Sequence, residues 1–395
     1  GNARRVDTPL AGRDEELATL DAAWRSVCAG RAVRLVTVIG DAGVGKSRLV
    51  QEAIRRCADG ATVLCGRCLP YGTGITFWPL VEMVRALIHA DASPQLARQR
   101  LSDLVGDADV AARLAAAIGL STAVFPLHEL YWATRRLLQC LAQERPVIVL
   151  IDDIHWAEPA FLELIEHVLD AATDAPILLL ATARHDLLDE HPTWPDRPGG
   201  SLLMLRPLSA AAAESVIANL LGSAPLAPAL VKRIVEAAEG NPLYVEQMLS
   251  MLTDSRALQR DDESNGLAGM AGLTEDADEQ LVVPPTIHAL LEARLDRLGR
   301  DERATVEPAA VAGVRFPRAA VESLVPQALR EAVPRHLAAL YDRQFLDPVA
   351  SRGTADHGAA FRFHHHLIRD TVYGGLLKRT HASLQFRHAE GLGQV

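Results

Sequence analysis

One short segment, residues 40–47, carries the residue types needed to bind phosphate groups. Its sequence, GDAGVGKS, fits the pattern G-x-x-x-x-G-K-S/T. Glycines let backbone N–H groups wrap around phosphate oxygens, and the N-terminus of a following helix adds partial positive charge. We expect Lys46 to reach the β- and γ-phosphates and the hydroxyl of Ser47 to hold Mg²⁺. The segment therefore predicts a nucleoside triphosphate site formed by Gly40, Ala42, Gly43, Val44, Gly45, Lys46 and Ser47.

Two adjacent carboxylates, Asp152 and Asp153, follow a continuous apolar run at residues 147–151. A buried strand that ends in Asp can place a carboxylate beside the phosphate loop, because the carboxyl ends of parallel strands share one edge of the sheet. We assign Asp152 to Mg²⁺, held through water. A second acidic group would orient or activate the water that attacks the γ-phosphate. Asp153 is the first candidate for that role and Glu158 is the second.

A cation, Arg184, follows another apolar run at residues 177–182. If this strand lies beside the one that ends in Asp152, the guanidinium can reach the γ-phosphate. It would then stabilise charge in the transition state or sense whether that phosphate is present. The alternative is a surface arginine at the end of a strand. The predicted hydrolytic centre consists of Lys46, Asp152, Asp153, Arg184 and Glu158.

Strands and helices that alternate along the first half of the chain must position these groups. Apolar runs at residues 35–39, 61–65, 147–151 and 177–182 predict strands, and helical spacing of apolar residues occurs between them. This alternation indicates a parallel sheet covered by helices. We therefore predict an α/β P-loop core at residues 1–207.

The second half of the chain has a different pattern. Residues 208–253 contain only helical spacing, and residues 254–283 are acidic and contain glycine, which predicts a flexible linker. Helical spacing returns in residues 284–395, where a short run at 360–363 indicates a small β-wing. The helices predicted before the linker span residues 211–221, 228–238 and 242–251.

Composition excludes several classes of protein. The chain of 395 residues has a net formal charge of −10, which argues against broad binding to nucleic acid. Residues 284–395 have only slightly more Lys and Arg than Asp and Glu, a weak footprint for DNA.

No apolar run approaches the roughly 18 residues of a membrane-spanning helix. The five scattered cysteines fit a reducing compartment, and the lone C-x-x-C at residues 65–68 lacks the second pair that zinc normally needs. We expect a cytoplasmic protein that makes no membrane contact.

Several segments resemble signal-transduction ATPases of the STAND type. These belong to the AAA-like branch that accompanies bacterial LuxR-type and antibiotic-regulator transcription factors and nucleotide cyclases. The most specific match is DDIHWAEP at residues 152–159, and the phosphate loop continues into Arg48 as it often does in that family. The resemblance covers nearly the whole chain. Its other segments are LAGRDEEL (residues 10–17), GRCLPYG (66–72), FWPL (77–80), GNPLYV (240–245), and residues 284–298 and 363–373 of a winged-helix region.

The resemblance implies a helical lid at residues 208–253 and a winged-helix domain at residues 284–395. It also implies roles that spacing does not show. Gly12 and Arg13 would border the adenine, and Pro242 would pack on the base from the lid. His365 would contact the β-phosphate of ADP and hold a closed form.

One departure from the family pattern is Pro308. The family usually has a continuous helix at this position, whereas a proline inside a helix costs about 3 kcal/mol. We therefore expect a kink or the start of a helix at Pro308.

The function implied by the resemblance is an ATP/ADP-operated regulatory switch with Mg²⁺ and slow hydrolysis. Exchange of ADP for ATP would open the protein, allow self-oligomerisation and control an output domain, most often in transcription. Sensor and output domains would lie outside this chain, which we expect to be part of a longer protein. We do not expect this part to bind DNA.

Three other functions fit the same residues. The first is a DNA-stimulated loader ATPase, similar to origin-recognition AAA proteins, and stimulation of ATPase activity by DNA would favour it. The second is a non-hydrolysing structural module with bound ADP, which single-turnover assays would separate from a working ATPase. The third is the regulatory part of a nucleotide cyclase.

Overall fold

The chain divides between Pro207 and Leu208 into two compact units. The first unit is Leu10–Pro207, and the second contains the described residues from Leu208 onward. The computed structural model describes residues 9–69, 76–88, 93–172, 174–194, 197–221, 226–257, 284, 286–349 and 360–376.

A five-stranded sheet forms the centre of the first unit. Every neighbouring pair in it is parallel, and the strand order is β2-β3-β4-β1-β5. The predicted parallel α/β core is thereby confirmed. The strands are β1 (Val33–Ile39), β2 (Thr62–Arg67), β3 (Val147–Asp152), β4 (Ile177–Ala183) and β5 (Gly200–Met204).

The fifth strand, β5, was not predicted from the sequence. It is short, lies at an edge of the sheet and leaves Ser201 and Met204 exposed, so it lacks the apolar run that identifies the central strands. It pairs with β1 from Leu35↔Gly200 to Ile39↔Met204. This pairing places the end of β5 beside the start of the phosphate loop.

Helices cover both faces of the sheet because alternate residues of each strand point to opposite sides. Val36 and Val38 of β1 pack with the helices on one face, whereas Leu35 and Ile39 pack into the larger cluster on the other face. The helices of this unit are α1 (Asp14–Gly30), α2 (Lys46–Cys57), α3 (Trp78–Ile88), α4 (Pro94–Val105), α5 (Ala108–Ala117), α6 (Leu127–Glu144), α7 (Pro159–Ala171) and α8 (Asp186–Glu190).

The second unit consists of helices and a small antiparallel sheet with the strand order β6-β8-β7. Its helices are α9 (Ala210–Leu221), α10 (Pro228–Ala238), α11 (Pro242–Ala257), α12 (Ile287–Asp296), α13 (Arg300–Ala312), α14 (Arg318–Leu324), α15 (Val333–Asp342) and α16 (His366–Gly374). Its strands are β6 (Arg315–Pro317), β7 (Leu346–Val349) and β8 (Ala360–Phe363).

Two expectations for this unit need correction. Helix α11 continues past residue 253 to Ala257, so the predicted linker begins inside a helix, and the remainder of residues 254–283 lies outside the described residues. Of the two outcomes expected at Pro308, the start of a helix is wrong, because α13 runs through Pro308 from Arg300 to Ala312, and a kink stays a prediction. Val306 and Ala309 on this helix are fully buried. Their packing offsets the missing hydrogen bond of the proline.

Among the described residues, no helix has both the length and the apolar character needed to span a membrane.

Candidate functional site

The phosphate loop connects β1 to α2 at the carboxyl edge of the parallel sheet. Helix α2 begins at Lys46, so its first N–H groups face the loop. Gly45 has φ +101°, a conformation that residues with a Cβ rarely adopt. The ammonium of Lys46 donates hydrogen bonds to the carbonyl oxygens of Gly40 (2.7 Å) and Asp41 (2.9 Å), inside the ring that a phosphate would enter. The local geometry is that of an anion-binding loop.

The remaining loop residues differ in exposure. Val44 and Gly40 are buried, and Ala42, Gly43 and Arg48 are half-buried. Burial lowers the pKa of Lys46, and the charge of Arg184 lowers it further, against the opposing charges of Asp153, Asp152 and Asp41. Arg184 therefore acts electrostatically on the loop lysine.

Asp152 is the last residue of β3 and accepts hydrogen bonds from two hydroxyl groups. Its Oδ1 lies 2.6 Å from Oγ1 of Thr182 and 3.3 Å from Oγ of Ser47. A hydroxyl and a carboxylate are the oxygen ligands that Mg²⁺ prefers when it is also held by phosphate oxygens and water. The side-chain oxygens of Ser47 and Asp152 are therefore of the chemical kind that would bind Mg²⁺, as the sequence predicts.

The contact between these two residues depends on the strand order. Because β4 lies between β1 and β3, Asp152 is not on the strand next to the loop strand. Thr182 on β4 joins this middle strand to the end of β3, because it donates to Asp152 and accepts a hydrogen bond from the N–H of Asp153 at 3.0 Å. The sequence analysis did not identify Thr182. A polar residue near the end of an otherwise apolar strand is the signal that could have found it.

A second residue missed by sequence reasoning, Arg67, lies within ion-pair distance of both carboxylates. Arg67 ends β2 and pairs in register with Asp152. Its Nη2 donates to Oδ2 of Asp152 at 2.7 Å, and its Nε lies 3.4 Å from Oδ2 of Asp153. The guanidinium therefore lies among the carboxylate oxygens that the sequence assigned to the metal ion and the water.

The backbone around Arg67 is tightly fixed. A Cβ on Gly66 would lie 2.5 Å from the carbonyl oxygen of Pro79, so only glycine allows β2 to approach α3 here. The N–H of Arg67 donates to Oε2 of Glu82 on α3 at 2.8 Å. These contacts hold the end of β2 against α3 and aim the arginine side chain at β3.

The surroundings of the two adjacent aspartates shift their pKa values in opposite directions. Burial alone would raise the pKa of Asp152, but the charge of Arg67 and the hydrogen bonds from Thr182, Arg67 and Ser47 outweigh it and lower the pKa. Burial, and then the negative charge of Asp152, raise the pKa of Asp153 to about 6. Two neighbouring carboxylates with pKa values moved apart are typical of sites that handle a proton.

Asp153 also has an unusual backbone conformation, with φ +58°. This region is uncommon for residues other than glycine, although Asp tolerates it better than most. Such conformations are often found at functional sites, where the surrounding structure holds them in place. Glu158, the second candidate for the same role, is exposed before the start of α7, and its carboxylate accepts a hydrogen bond from the hydroxyl of Thr76. Asp153 is therefore the better placed of the two carboxylates.

Arg184 directly follows β4 and is half-buried. Its positive charge lowers the pKa of Lys46 and opposes the rise in the pKa of Asp153. Because β4 lies between β1 and β3, its last residues reach the same edge of the sheet as the loop lysine and the acidic pair. The predicted cation at the strand next to β3 is thus brought to the same edge of the sheet.

Arg13, which the resemblance places beside the adenine, makes several contacts at the start of α1. It is buried, and its Nη2 donates to the carbonyl oxygens of Val44 (3.1 Å) and Arg206 (2.8 Å). Its Nη1 donates to Glu16 at 3.0 Å. Arg13 thus ties the phosphate loop to the segment after β5, whereas its neighbour Gly12 is exposed.

Pro242 and His365, the residues implied to close over the nucleotide, belong to the second unit. Pro242 is the first residue of α11 and is half-buried. His365 directly precedes α16, and its Nδ1 accepts a hydrogen bond from the N–H of Leu367 at 3.1 Å. Their contact with a nucleotide in the first unit stays a prediction.

Next to His365, a second charged cluster lies wholly inside the second unit. Nδ1 of His364 lies 3.1 Å from Oδ1 of Asp347 on β7, and its Nε2 lies 3.9 Å from Oε2 of Glu246 on α11. Burial would lower the pKa of His364, but the hydrogen bonds and charges of Asp347 and Glu246 raise it to about 9. Within the described residues, no group of three or more His, Cys, Asp or Glu side chains could hold a metal ion.

Comparisons with known proteins agree with the phosphate-loop assignment. Residues 9–180 match the family model described as AAA ATPase domain. This match supports a P-loop ATPase of the AAA type in that part of the chain, with nucleotide binding.

One curated relative extends over most of the chain. An uncharacterized protein of Rhizobium meliloti (strain 1021) is 28% identical over 401 residues, which cover 97% of this chain. The same match covers 37% of the relative, so the chain spans little more than a third of that protein.

Solved structures give weaker similarities. The ORC1 protein of Aeropyrum pernix, solved in complex with DNA, has a TM-score of 0.45 and 12% identity, with 94% of each chain covered. Cdc6p from Pyrobaculum aerophilum has a TM-score of 0.45 and 10% identity, with 98% of this chain and 96% of that chain covered. Neither similarity indicates what this chain binds. The prediction that the chain does not bind DNA has no support from them and stays a prediction.

Proposed function

We propose that this chain is an ATP/ADP-operated switch module that hydrolyses ATP slowly. The observation that supports the proposal best is the convergence of the phosphate loop, the two aspartates at the end of β3 and the cation after β4 at one edge of the sheet. Hydroxyl, carboxylate and cationic groups of this kind bind and cleave a triphosphate mainly by positioning and electrostatic stabilisation. The STAND-type resemblance supports the regulatory part of the proposal.

Each residue at this edge has a chemical task in the proposal. Lys46 would hold the β- and γ-phosphates, and Ser47 and Asp152 would hold Mg²⁺, which when bound would supply positive charge at the phosphate oxygens. Asp153 orients the attacking water and accepts its proton. Arg184 interacts with the γ-phosphate and distinguishes ATP from ADP.

Arg67 has a role in the state without a metal ion. Its guanidinium pairs with the same carboxylates that would take part in binding Mg²⁺ and water. A bound metal ion would compete with this pairing, because both are cations at one acidic site. Arg67 is therefore the counter-ion of the half-buried acidic pair, and Mg²⁺ would take over part of that role.

The second unit supplies the proposed switch element. In the resembled family, a helical lid and a winged-helix domain close over ADP, and we assign Pro242 and His365 to this closure. ATP would favour an open form that self-assembles and controls an output domain outside this chain. Such a switch works because the two nucleotides differ in their contacts with the two forms.

Hydrolysis by purified protein tests the enzymatic part. Single-turnover assays with Mg²⁺ and ATP should show slow release of phosphate by the parent chain and none by Asp153→Asn, which should still bind ATP. Glu158→Gln is the matched control and should hydrolyse ATP at the parent rate. The assignment of Asp153 is wrong if Glu158→Gln is the inactive variant. A parent chain that binds ATP without hydrolysing it would indicate a structural module.

Adding duplex DNA to the same assay distinguishes a switch from a DNA-dependent loader. We expect the rate to be unchanged by DNA, because the chain carries a net charge of −10. Strong stimulation by DNA would overturn the switch proposal in favour of a loader ATPase.

The regulatory part is tested by the nucleotide that the protein retains. We expect ADP to copurify with the parent chain and to resist dialysis, and we expect His365→Ala to release it faster. Fast exchange of ADP in the parent, with no change in His365→Ala, would contradict a closed ADP form.

A further inference from the structure

Arg13 is a buried cation in direct contact with the phosphate loop. It directly precedes α1 and is 5% exposed. Its Nη2 donates to the carbonyl oxygens of Val44 (3.1 Å) and Arg206 (2.8 Å), and its Nη1 donates to Glu16 (3.0 Å). A guanidinium has five N–H donors in a fixed plane and keeps its proton in proteins. A permanent positive charge therefore lies against the backbone of the loop.

The carbonyl group of Val44 that Arg13 binds belongs to the same peptide unit as the N–H of Gly45. This unit is trans, since no described peptide bond is cis, so its carbonyl and N–H groups point to opposite sides. Because Arg13 holds the carbonyl oxygen on its own side, the N–H of Gly45 is turned to the other side. Backbone N–H groups of such loops are the donors that phosphate oxygens meet. Arg13 thus fixes the direction of one of these donors, directly before Lys46.

The start of the phosphate loop is held by the segment that follows β5. The N–H of Leu205 donates to the carbonyl oxygen of Ile39 at 2.7 Å. A Cβ on Gly40 would lie 2.7 Å from the carbonyl oxygen of Leu205, so this approach requires glycine. Arg13 joins the next carbonyl group of the same segment to the carbonyl group near the end of the loop. Contacts within the chain therefore fix the loop at both ends, which reduces the reorganisation needed to bind a phosphate.

From these contacts we infer that Arg13 is a positioning residue for the phosphates, because it orients the N–H of Gly45 through the carbonyl group of Val44. The inference rests on the proposed nucleotide site, and it differs from the adenine contact that the resemblance implies for Arg13. A charged donor on a carbonyl oxygen also polarises the peptide group and strengthens the N–H donor at its other end. Loss of the guanidinium should therefore weaken the binding of phosphates whether or not a base is attached to them.

Inorganic tripolyphosphate separates the two roles, because it carries phosphate groups without a base. In isothermal titrations of the whole chain with Mg²⁺, Arg13→Met should bind both ATP and tripolyphosphate about tenfold or more weakly than the parent, since hydrogen bonds from a charged group are lost. Weaker binding of ATP alone would assign Arg13 to the base and overturn the inference. Unchanged affinities for both ligands would overturn it as well.

Glu16→Gln is the matched control, because it removes the ion pair of Arg13 and leaves the two carbonyl contacts in place. We expect its affinities for ATP and tripolyphosphate to stay within about twofold of those of the parent. If Glu16→Gln loses as much affinity as Arg13→Met, the ion pair is responsible instead of the contact with the loop, and the inference is wrong.

Arg13→Lys keeps the charge, and it decides the question if Arg13→Met does not fold. A single ammonium group cannot reproduce the planar fork that spans two carbonyl oxygens. We expect Arg13→Lys to bind ATP and tripolyphosphate more weakly than the parent and more tightly than Arg13→Met. An affinity for tripolyphosphate equal to that of the parent would overturn the inference while the proposed function stands.

The parent chain itself separates the inference from the function on which it rests. A parent that binds ATP but not tripolyphosphate would overturn the inference alone, since the loop would then not hold phosphates without the base. A parent that binds neither ligand would overturn the proposed function as well.

Discussion

Two charged clusters, one in each compact unit, pair a half-buried aspartate with a cation but differ in how completely their groups are satisfied. In the second unit, His364 lies between Asp347 and Glu246, and each charge has an opposite partner. In the first unit, Arg67 neutralises Asp152, but Asp153 keeps a raised pKa and His155 has no partner for either nitrogen. The His364 cluster thus pairs its charges inside the chain, whereas the cluster of the first unit keeps polar groups that no described protein group satisfies.

The comparison predicts that changes in the first cluster alter nucleotide chemistry and that changes in the second alter stability. The largest expected effect is that of Lys46→Ala. Removing this ammonium from the phosphate loop should lower the hydrolysis rate by about 10²–10³-fold, because its charge is aimed at the transferred phosphate. We also expect ADP to protect the parent from limited proteolysis and expect Lys46→Ala to lose this protection.

Lys232→Ala, at an exposed position on α10, is the control for Lys46 and should leave both the rate and the protection unchanged. A Lys46→Ala variant that remains as compact as the parent and gains equal protection from ADP would break the proposed link between the loop and the closed form.

The next largest effect concerns Arg67. Arg67→Met should destabilise the protein by about 2–3 kcal/mol without metal, because it leaves two carboxylates without their counter-ion. Mg²⁺ should raise the thermal midpoint of this variant more than that of the parent, since it supplies the missing positive charge. Thermal unfolding with and without MgCl₂ measures both effects.

Arg31, whose guanidinium pairs with Asp174 at the surface, is the control for Arg67. Arg31→Met should change stability little and should not alter the response to Mg²⁺. If Arg67→Met shows no larger response to Mg²⁺ than the parent, the two cations do not share the acidic pair.

The His364 cluster should make stability depend on pH. The folded state raises the pKa of His364 from 6.5 to about 9, so its contribution is complete below about pH 6.5 and is lost as the pH rises through about 9. We expect the second unit to lose about 2 kcal/mol of unfolding free energy over this window, after allowance for partial solvent exposure. Urea unfolding of the full chain at a series of pH values measures the loss.

Comparison with His364→Gln isolates this effect from other groups that titrate at high pH. The variant should lose the difference between pH 6 and pH 9.5, whereas His288→Gln, at an exposed position on α12, should behave like the parent. If the unfolding free energy of His364→Gln depends on pH as strongly as that of the parent, the His364 cluster is not the cause of the dependence.

The smallest expected effect is that of Thr182→Val. The substitution keeps the shape of the side chain but removes the hydroxyl that joins Asp152 to the N–H of Asp153. We expect a loss of about 1 kcal/mol in stability and weaker binding of Mg²⁺-nucleotide. Thr371→Val removes a hydroxyl that bonds only within α16 and should leave nucleotide binding intact. Equal nucleotide affinities in both variants would show that Thr182 does not position the acidic pair.

The sequence by itself determined the phosphate loop, four of the five strands and the acidic pair at the end of β3. These features are local. A continuous apolar run predicts a strand, and the residues that come directly after it, glycine and lysine in one case and aspartate in the other, can be recognised without knowledge of the fold. The edge strand β5 and the continuous helix through Pro308 could not be predicted. In both cases packing against other elements outweighs a weak or contrary local preference.

Only the tertiary structure decided which groups meet at the sheet edge. The strand order brings Arg67 of β2 and Thr182 of β4 to opposite sides of Asp152, although 85 and 30 residues separate them from it along the chain. The burial that leaves His155 without a partner is also a product of the packing around its turn. Residue types and spacing identify what can bind a phosphate. The pairing of strands, a long-range property, determines which charges and hydroxyl groups surround it.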